Sequence, residues 1–220
     1  MSAKSNPLPK IMKNKNSKNA IIIFQKNLIQ GKVKTRLAAS LGHQQAMEIY
    51  RDLVAFTYRQ VIEIRDADIW VFFSESFEEM DGNFQEHITA TMVQEGSDLG
   101  ERMENAFRTI FGFGYTKAVL IGTDCPEITP GIIENALKSL EKDEVVIGPA
   151  MDGGYYLIGM AKVLPQLFSQ IPWSTENVLP ITLQRINQDN ISHFTLPVLS
   201  DIDTEEDWIN LKNLISEHYS

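Results

Sequence analysis

Val119-Leu120-Ile121-Gly122-Thr123-Asp124-Cys125-Pro126 is the stretch on which the fold of this 220-residue chain turns. An apolar run of strand length ends in Gly122-Thr123 and leaves one carboxylate at its C-terminal tip. Ligands in open α/β sheets bind outside the carboxyl ends of the strands, so Asp124 stands where chemistry is expected. Pro126 stops the strand, and Thr129-Pro130 restarts the chain as a helix with a capping hydroxyl and a proline at the first position. A strand-tip aspartate of this kind either holds a divalent cation that holds phosphates, or ends a strand and caps a turn. Both readings stand at this point.

Outward from this stretch the hydrophobic period alternates between two and about 3.6. Short apolar runs predict strands over 20–24, 69–73, 88–93, 117–121, 145–148, 155–158 and 193–196. Between them, Ala46, Ile49, Tyr50, Leu53, Val54, Thr57, Val61 and Ile64 form a helical stripe within 42–64. Further helices are expected over 98–111, 130–140, 175–188 and 204–215. Asp98 with Glu101, and Thr204 with Asp207, have capping-box spacing. Pro180 should start or kink its helix rather than continue it. Strands alternating with helices argue for a mostly parallel sheet covered on both faces.

Composition narrows the function. A hydrophobic content of 43% and a charged content of 22% are ordinary for a globular protein. The formal net charge of -9 argues against a nucleic-acid binder. Residues 1–19 carry five lysines and no acid, and read as a disordered basic extension ahead of a single domain over 20–220. Without that extension the chain holds 15 basic and 29 acidic residues, so an anionic substrate needs a local basic pocket or a metal. No apolar run approaches a membrane span, and the single cysteine, Cys125, fits a reducing compartment; the expected location is cytoplasmic. Beside Asp124, Cys125 is read as a packing residue rather than a nucleophile. The four histidines lack zinc-ligand spacing.

Three more stretches carry chemistry. Gly31-Lys32-Val33-Lys34-Thr35-Arg36-Leu37 follows the first strand, the usual phosphate position of a doubly wound sheet, with Lys26, Lys34 and Arg36 as cations. It is neither a P-loop nor a dinucleotide fingerprint. Asp152-Gly153-Gly154 divides two apolar runs; it is either a hairpin turn or a close approach for substrate, with Asp152 capping the turn or presenting a carboxylate. Trp173-Ser174-Thr175 offers an aromatic face and two hydroxyls, one of which is expected to cap the helix that follows.

Read together, the segments 21–37, 98–103, 121–126, 148–159, 171–175 and 201–207 occur in an order that resembles a bacterial glycosyltransferase-like group. This is the DUF2064 family, also described as selenoprotein/radical-SAM-associated transferase 1. It looks related to the phospholactate and molybdenum-cofactor guanylyltransferases. The resemblance runs from about residue 20 to 215. Its most specific blocks are Gly148-Pro149-Ala150-Met151-Asp152-Gly153-Gly154-Tyr155-Tyr156 and Lys34-Thr35-Arg36-Leu37.

The resemblance implies a nucleotide-diphospho-sugar transferase fold: a Rossmann-like, glycosyltransferase A-type α/β three-layer sandwich. It implies Asp124 as ligand of Mg²⁺ or Mn²⁺ and, with Asp152, as catalytic. Asp203 or Asp201 would be the second metal ligand, although helix capping also explains that segment. Lys26, Lys34, Arg36 and Asp98 would bind the nucleotide, and Gly153, Gly154, Trp173, Ser174 and Thr175 the substrate. Two departures matter. Residues 26–30 lack the stiffening prolines of the family's loop, and Gly122 replaces the first acid of an Asp-x-Asp signature. The expected function is a metal-dependent transferase using a nucleotide sugar or NTP and an unidentified acceptor. A nucleotidyltransferase that releases pyrophosphate and a nucleotide-binding protein without turnover are the alternatives.

Overall fold

Burial on both faces of the central strands explains why the sequence shows continuous apolar runs there rather than alternation. The structure, a computed structural model, describes residues 17–216. The basic extension expected over 1–19 lies outside the described residues up to residue 16, and Asn19 already belongs to the first strand.

In chain order the elements are β1 (Asn19–Gln25), α1 (Thr35–Leu41), α2 (His43–Ile62), β2 (Asp68–Phe73), α3 (Gly82–Gln85), β3 (Ala90–Val93) and α4 (Leu99–Gly112). There follow β4 (Lys117–Ile121), α5 (Pro130–Ser139), β5 (Val145–Pro149), β6 (Tyr155–Met160), a 3₁₀ turn (Pro165–Leu167), α6 (Val178–Gln188), β7 (His193–Thr195) and α7 (Glu205–Ser216). The strands form a seven-stranded sheet in the order β3-β2-β1-β4-β6-β5-β7. All neighbouring pairs are parallel except those of β6, which runs antiparallel to β4 and β5.

Strand parity sorts the core. Ile21, Ile23, Val71, Phe73, Val119 and Ile121 face one layer with α2 and α5, while Ile22, Trp70, Phe72 and Leu120 face the other with α4. Each fully buried branched side chain contributes about 1.5–3 kcal/mol relative to exposure. The stripe expected on α2 is buried along its length, Ile64 included. This is the expected three-layer α/β sandwich with a mostly parallel sheet.

Two local expectations are corrected. Residues 35–41 form a separate short helix, α1, which starts from Lys34 in the left-handed region (φ 45°, ψ 49°) without a side-chain cap. That start has no sequence signature, because non-glycine residues seldom adopt it. The helix after Trp173 begins at Val178 rather than 175, because Thr175 Oγ1 donates to Pro172 O and accepts from Asn177 N, closing a turn. Pro180 falls in its first turn, where a missing N–H costs little. Among the described residues no helix is long and apolar enough to cross a membrane.

Candidate active site

The parallel strands all end at one edge of the sheet, and the hairpin from β5 to β6 turns at that same edge. Asp124 reaches it from β4. Gly122 makes room: a Cβ there would lie 2.8 Å from Asp124 Oδ1, so an acid at 122 would displace the carboxylate it was meant to assist. Ile202 N donates to Asp124 O at 2.9 Å, which brings the 201–203 segment against the strand tip.

Lys34 lies between these two segments. Its side chain is 5% exposed, with Nζ 3.1 Å from Asp124 Oδ2 and 2.9 Å from Asp203 Oδ1. Burial lowers the affinity of Lys34 for its proton, but the two carboxylates outweigh it and hold the ammonium above the usual lysine range. Burial likewise raises Asp124, and the Lys34 charge and hydrogen bond overcome it, leaving a net lowering. Arg36 Nη1 stands 3.7 Å from Asp203 Oδ2 with its side chain largely in solvent. Asp201 lacks such a partner: burial and then the Asp124 charge push its carboxyl well above the usual range. Among the described residues, Asp201 Oδ1 is buried without a hydrogen-bond partner.

The loop ahead of Lys34 is anchored at its start without prolines. Asn27 Oδ1 accepts from Ser74 Oγ, Glu75 N and Ser76 N, Asn27 Nδ2 donates to Ser76 O, and Leu28 N donates to Glu78. Lys26 N donates to Tyr50 Oη, which also bonds Thr123 Oγ1 at 2.9 Å beside Asp124.

Two chambers meet at this point. The first, of about 640 Å³, is lined by the cations Lys26, Lys32, Lys34, Arg36 and Arg102 against the acids Asp124 and Asp203, with Phe24, Ser74 and Gln94 from the tips of β1 to β3. The second, of about 440 Å³, is lined by one cation, Arg36, against Asp124, Asp152, Glu176, Asp201 and Asp203, with Tyr155 and Trp173 as its aromatic wall. Arg36, Leu99, Asp124, Ser174 and Asp203 border both.

The expected residues therefore divide. Lys26 and Lys34 line the first chamber, Asp152, Gly154, Trp173, Thr175 and Asp201 the second, and Arg36, Asp124 and Asp203 both. Ser174 also borders both, in the left-handed region (φ 63°). Asp98 lines neither; its carboxylate accepts from Glu101 N at 2.9 Å and caps α4. Gly153 also lines neither: at φ +89° it lets the backbone of Glu176 approach, where a Cβ would lie 2.5 Å from Glu176 O. Asp152 Oδ1 accepts from Gly154 N, the turn bond, while the residue still borders the second chamber. Sequence reading missed Lys32, Arg102, Gln94, Tyr155 and Glu176. Arg102 was signalled by its place one helical turn after Asp98, on the face that Leu99 shares. Cys125 is buried, and burial followed by the Asp201 charge raises its thiol well above the usual range, which fits a packing role.

Residues 57–175 match the family described as uncharacterized protein conserved in bacteria (DUF2064). No curated protein matches the sequence. Among solved structures, a Desulfovibrio desulfuricans G20 protein provisionally described as a nucleotide-diphospho-sugar transferase is 28% identical, with a TM-score of 0.78 over 92% of this chain and 98% of its own. The inositol-1-phosphate CTP transferase of T. maritima is 14% identical, with a TM-score of 0.56 over 91% of this chain and 96% of its own. Rv0371C from Mycobacterium tuberculosis H37Rv, in complex with manganese, is 13% identical, with a TM-score of 0.52 over 88% of this chain and 97% of its own. The fold is that of the nucleotide-diphospho-sugar transferases.

Proposed function

The chain belongs to the DUF2064 family, and from that premise we propose that it is a metal-dependent transferase that takes a nucleotide sugar or NTP as donor. The observation that carries this reading is the junction of two oppositely charged chambers at Asp124, Lys34 and Asp203. Phosphates suit the first chamber, where Lys26, Lys34 and Arg36 offset their charge and Arg36 can grip an oxygen pair. The base then lies toward the tips of β1 to β3, and the acceptor in the second chamber.

The donor set fits a hard divalent cation. Asp124 and Asp203 already converge on one positive charge, and Asp201 Oδ1 is an orphaned buried oxygen beside them. Among the described residues no three His, Cys, Asp or Glu side chains converge as a complete ligand set, which suits an ion held by one or two carboxylates plus substrate phosphates. Mg²⁺ or Mn²⁺ bound there would neutralise phosphate charge as the leaving group departs. The chain's own part is positioning: Lys34 and Arg36 orient the phosphates, Ser174 divides donor from acceptor, and Asp152 faces the acceptor side. Nucleotidyl transfer is the second reading, favoured by Gly122, which leaves Asp124 without the paired acid of a glycosyltransferase Asp-x-Asp.

Asp124→Asn tests the proposal. Calorimetric titration with NTPs and nucleotide sugars, with and without Mg²⁺, is expected to show metal-dependent binding in the parent and none in the variant, at unchanged circular dichroism. Equal binding by both proteins would remove Asp124 from the site.

A further inference from the structure

Two strand ends frame the first chamber beyond the point where the sheet ladder joins them. β1 and β4 pair in parallel from Asn19 with Lys117 to Ile23 with Ile121, and the register stops there. Lys26 and Thr123 both lie past that last pair, and both line the chamber, as does Asp124 next to Thr123. Asn27 ties this end of β1 to the segment after β2, which leaves the side toward β4 to be held by something else.

Tyr50 reaches that side from α2. Its ring is buried, 3% exposed, and its Oη lies 2.9 Å from Lys26 N, 3.3 Å from Lys26 O and 2.9 Å from Thr123 Oγ1. A phenol has one proton to give and otherwise accepts through its oxygen. Lys26 N can only donate and Lys26 O can only accept, so the Tyr50 proton goes to Lys26 O and the Thr123 hydroxyl donates to Tyr50. That assignment satisfies all three contacts at once. It also uses the whole bonding capacity of the phenol within the protein, although Tyr50 borders the chamber. Burial pushes the phenol up to about 12, so the bridge is held by a neutral group.

The value of such a bridge is distance. An ammonium offsets phosphate charge as a point charge on a flexible stem, and its effect falls as the separation grows. Clamping Lys26 at both its N–H and its carbonyl gives that stem a fixed origin. Clamping Thr123 with the same oxygen places Asp124 in the same frame. A site assembled in this way is positioned before the ligand arrives.

We propose that Tyr50 is a positioning residue for the donor phosphates, its hydroxyl fixing Lys26 relative to Asp124 without touching the ligand. The inference rests on the transferase reading above and deepens it.

A double-mutant cycle between Tyr50→Phe and Lys26→Met on the full chain provides the test. Lys26→Met removes the charge and leaves the backbone groups that Tyr50 holds. Calorimetric titrations with Mg²⁺ use ATP, CTP, GTP, UTP and inorganic triphosphate as probes, and urea midpoints report on stability. Tyr50→Phe is expected to weaken binding of the triphosphate group about 5-fold in the parent. In the Lys26→Met background the same change should weaken it less than about 2-fold, the limit of simple additivity. The shift in urea midpoint from Tyr50→Phe should be the same in both backgrounds, because the bridge itself is present in both. Thr123→Val breaks the bridge from its other end and should reproduce the pattern, which keeps the test open if Tyr50→Phe does not fold. Equal binding losses in the two backgrounds overturn the proposal, since Tyr50 would then act on the fold or on the ligand directly. Nucleotide binding that Tyr50→Phe leaves unchanged overturns it too, while the transferase reading stands. If inorganic triphosphate shows the coupling and no nucleotide binds, the positioning role survives and the nucleotide-donor reading fails. If none of the five probes binds the parent, both fall.

Discussion

Lys34 Nζ and Asp124 Oδ2 lie 3.1 Å apart although the two residues are 90 positions apart in the chain, and this contact joins the basic loop to the strand tip. Lys34 enters it from a left-handed backbone conformation, which costs a non-glycine residue roughly 1–2 kcal/mol. Its two carboxylate partners offset that strain. The ammonium thus occupies the place where opposite charge is most needed before any substrate arrives.

Lys34→Met should therefore lower stability by about 1–2 kcal/mol, a figure reduced for the partial exposure of Asp124 and Asp203. Mg²⁺ should raise the Tm of the variant more than that of the parent, because the ion then meets two uncompensated carboxylates. An identical Mg²⁺ shift in both proteins would separate Lys34 from the cation position.

Asn27 does for the 26–34 loop what prolines do in the resembling sequences, through bonds to Ser74, Glu75 and Ser76. Asn27→Ala leaves those backbone groups without their partner and should cost about 1–3 kcal/mol. Trypsin should then cut after Lys26 or Lys32 faster than in the parent, as followed by mass spectrometry. Unchanged cleavage would mean that the loop is held by other contacts.

Gly100 is where two sequence blocks meet, since a Cβ there would lie 2.5 Å from Phe168 O and 2.7 Å from the Trp173 ring. Gly100→Ala must push Trp173 and its neighbour Ser174 away from α4. The expected outcome is a loss of about 1–3 kcal/mol together with weaker nucleotide binding, measured by denaturant unfolding and calorimetry. A stability loss with unaltered binding would show that Ser174 does not divide the chambers.

The cap of α7 gives a pH signature. Burial raises the Asp207 carboxyl, but bonds from Thr204 Oγ1, Thr204 N and Asp203 N prevail and hold it below the usual range. A carboxyl with a lowered folded-state pKa stabilises above its unfolded value, about 3.9, and that stability is lost as pH falls through the folded value. Asp207→Asn should cost about 1 kcal/mol at pH 7 and progressively less as pH falls below about 3.9, read from urea midpoints. A gap that persists at low pH would mean the side chain acts by shape alone.

The strands could be read from the sequence because Ile21 to Ile23, Ile69 to Phe73 and Val119 to Ile121 are buried on both faces and must be continuously apolar. The caps at Asp98 and Thr204 were legible for a local reason, the fixed three-residue reach of a side chain to a backbone N–H. Asp98 shows the cost of the same rule: its capping bond was visible, yet block similarity placed it on the nucleotide, and the structure keeps it on the helix. Helix α1 was not legible, because a left-handed start at lysine leaves no residue-type signal. Lys34 was expected in the loop after the first strand, and the structure puts it there, against Asp124. Its partner Asp203 lies 169 residues away, and no local pattern encodes a meeting over that distance.

That distance has a consequence for biosynthesis. Phe24 comes from the first strand and Asp203 from the segment between the last strand and the last helix, and both line the first chamber. A chain growing from its N-terminus cannot close this cavity until the segment after β7 has left the ribosome. A nucleotide bound there, as proposed, can therefore stabilise only the completed fold, and a truncated product forfeits that ligand along with its final helix.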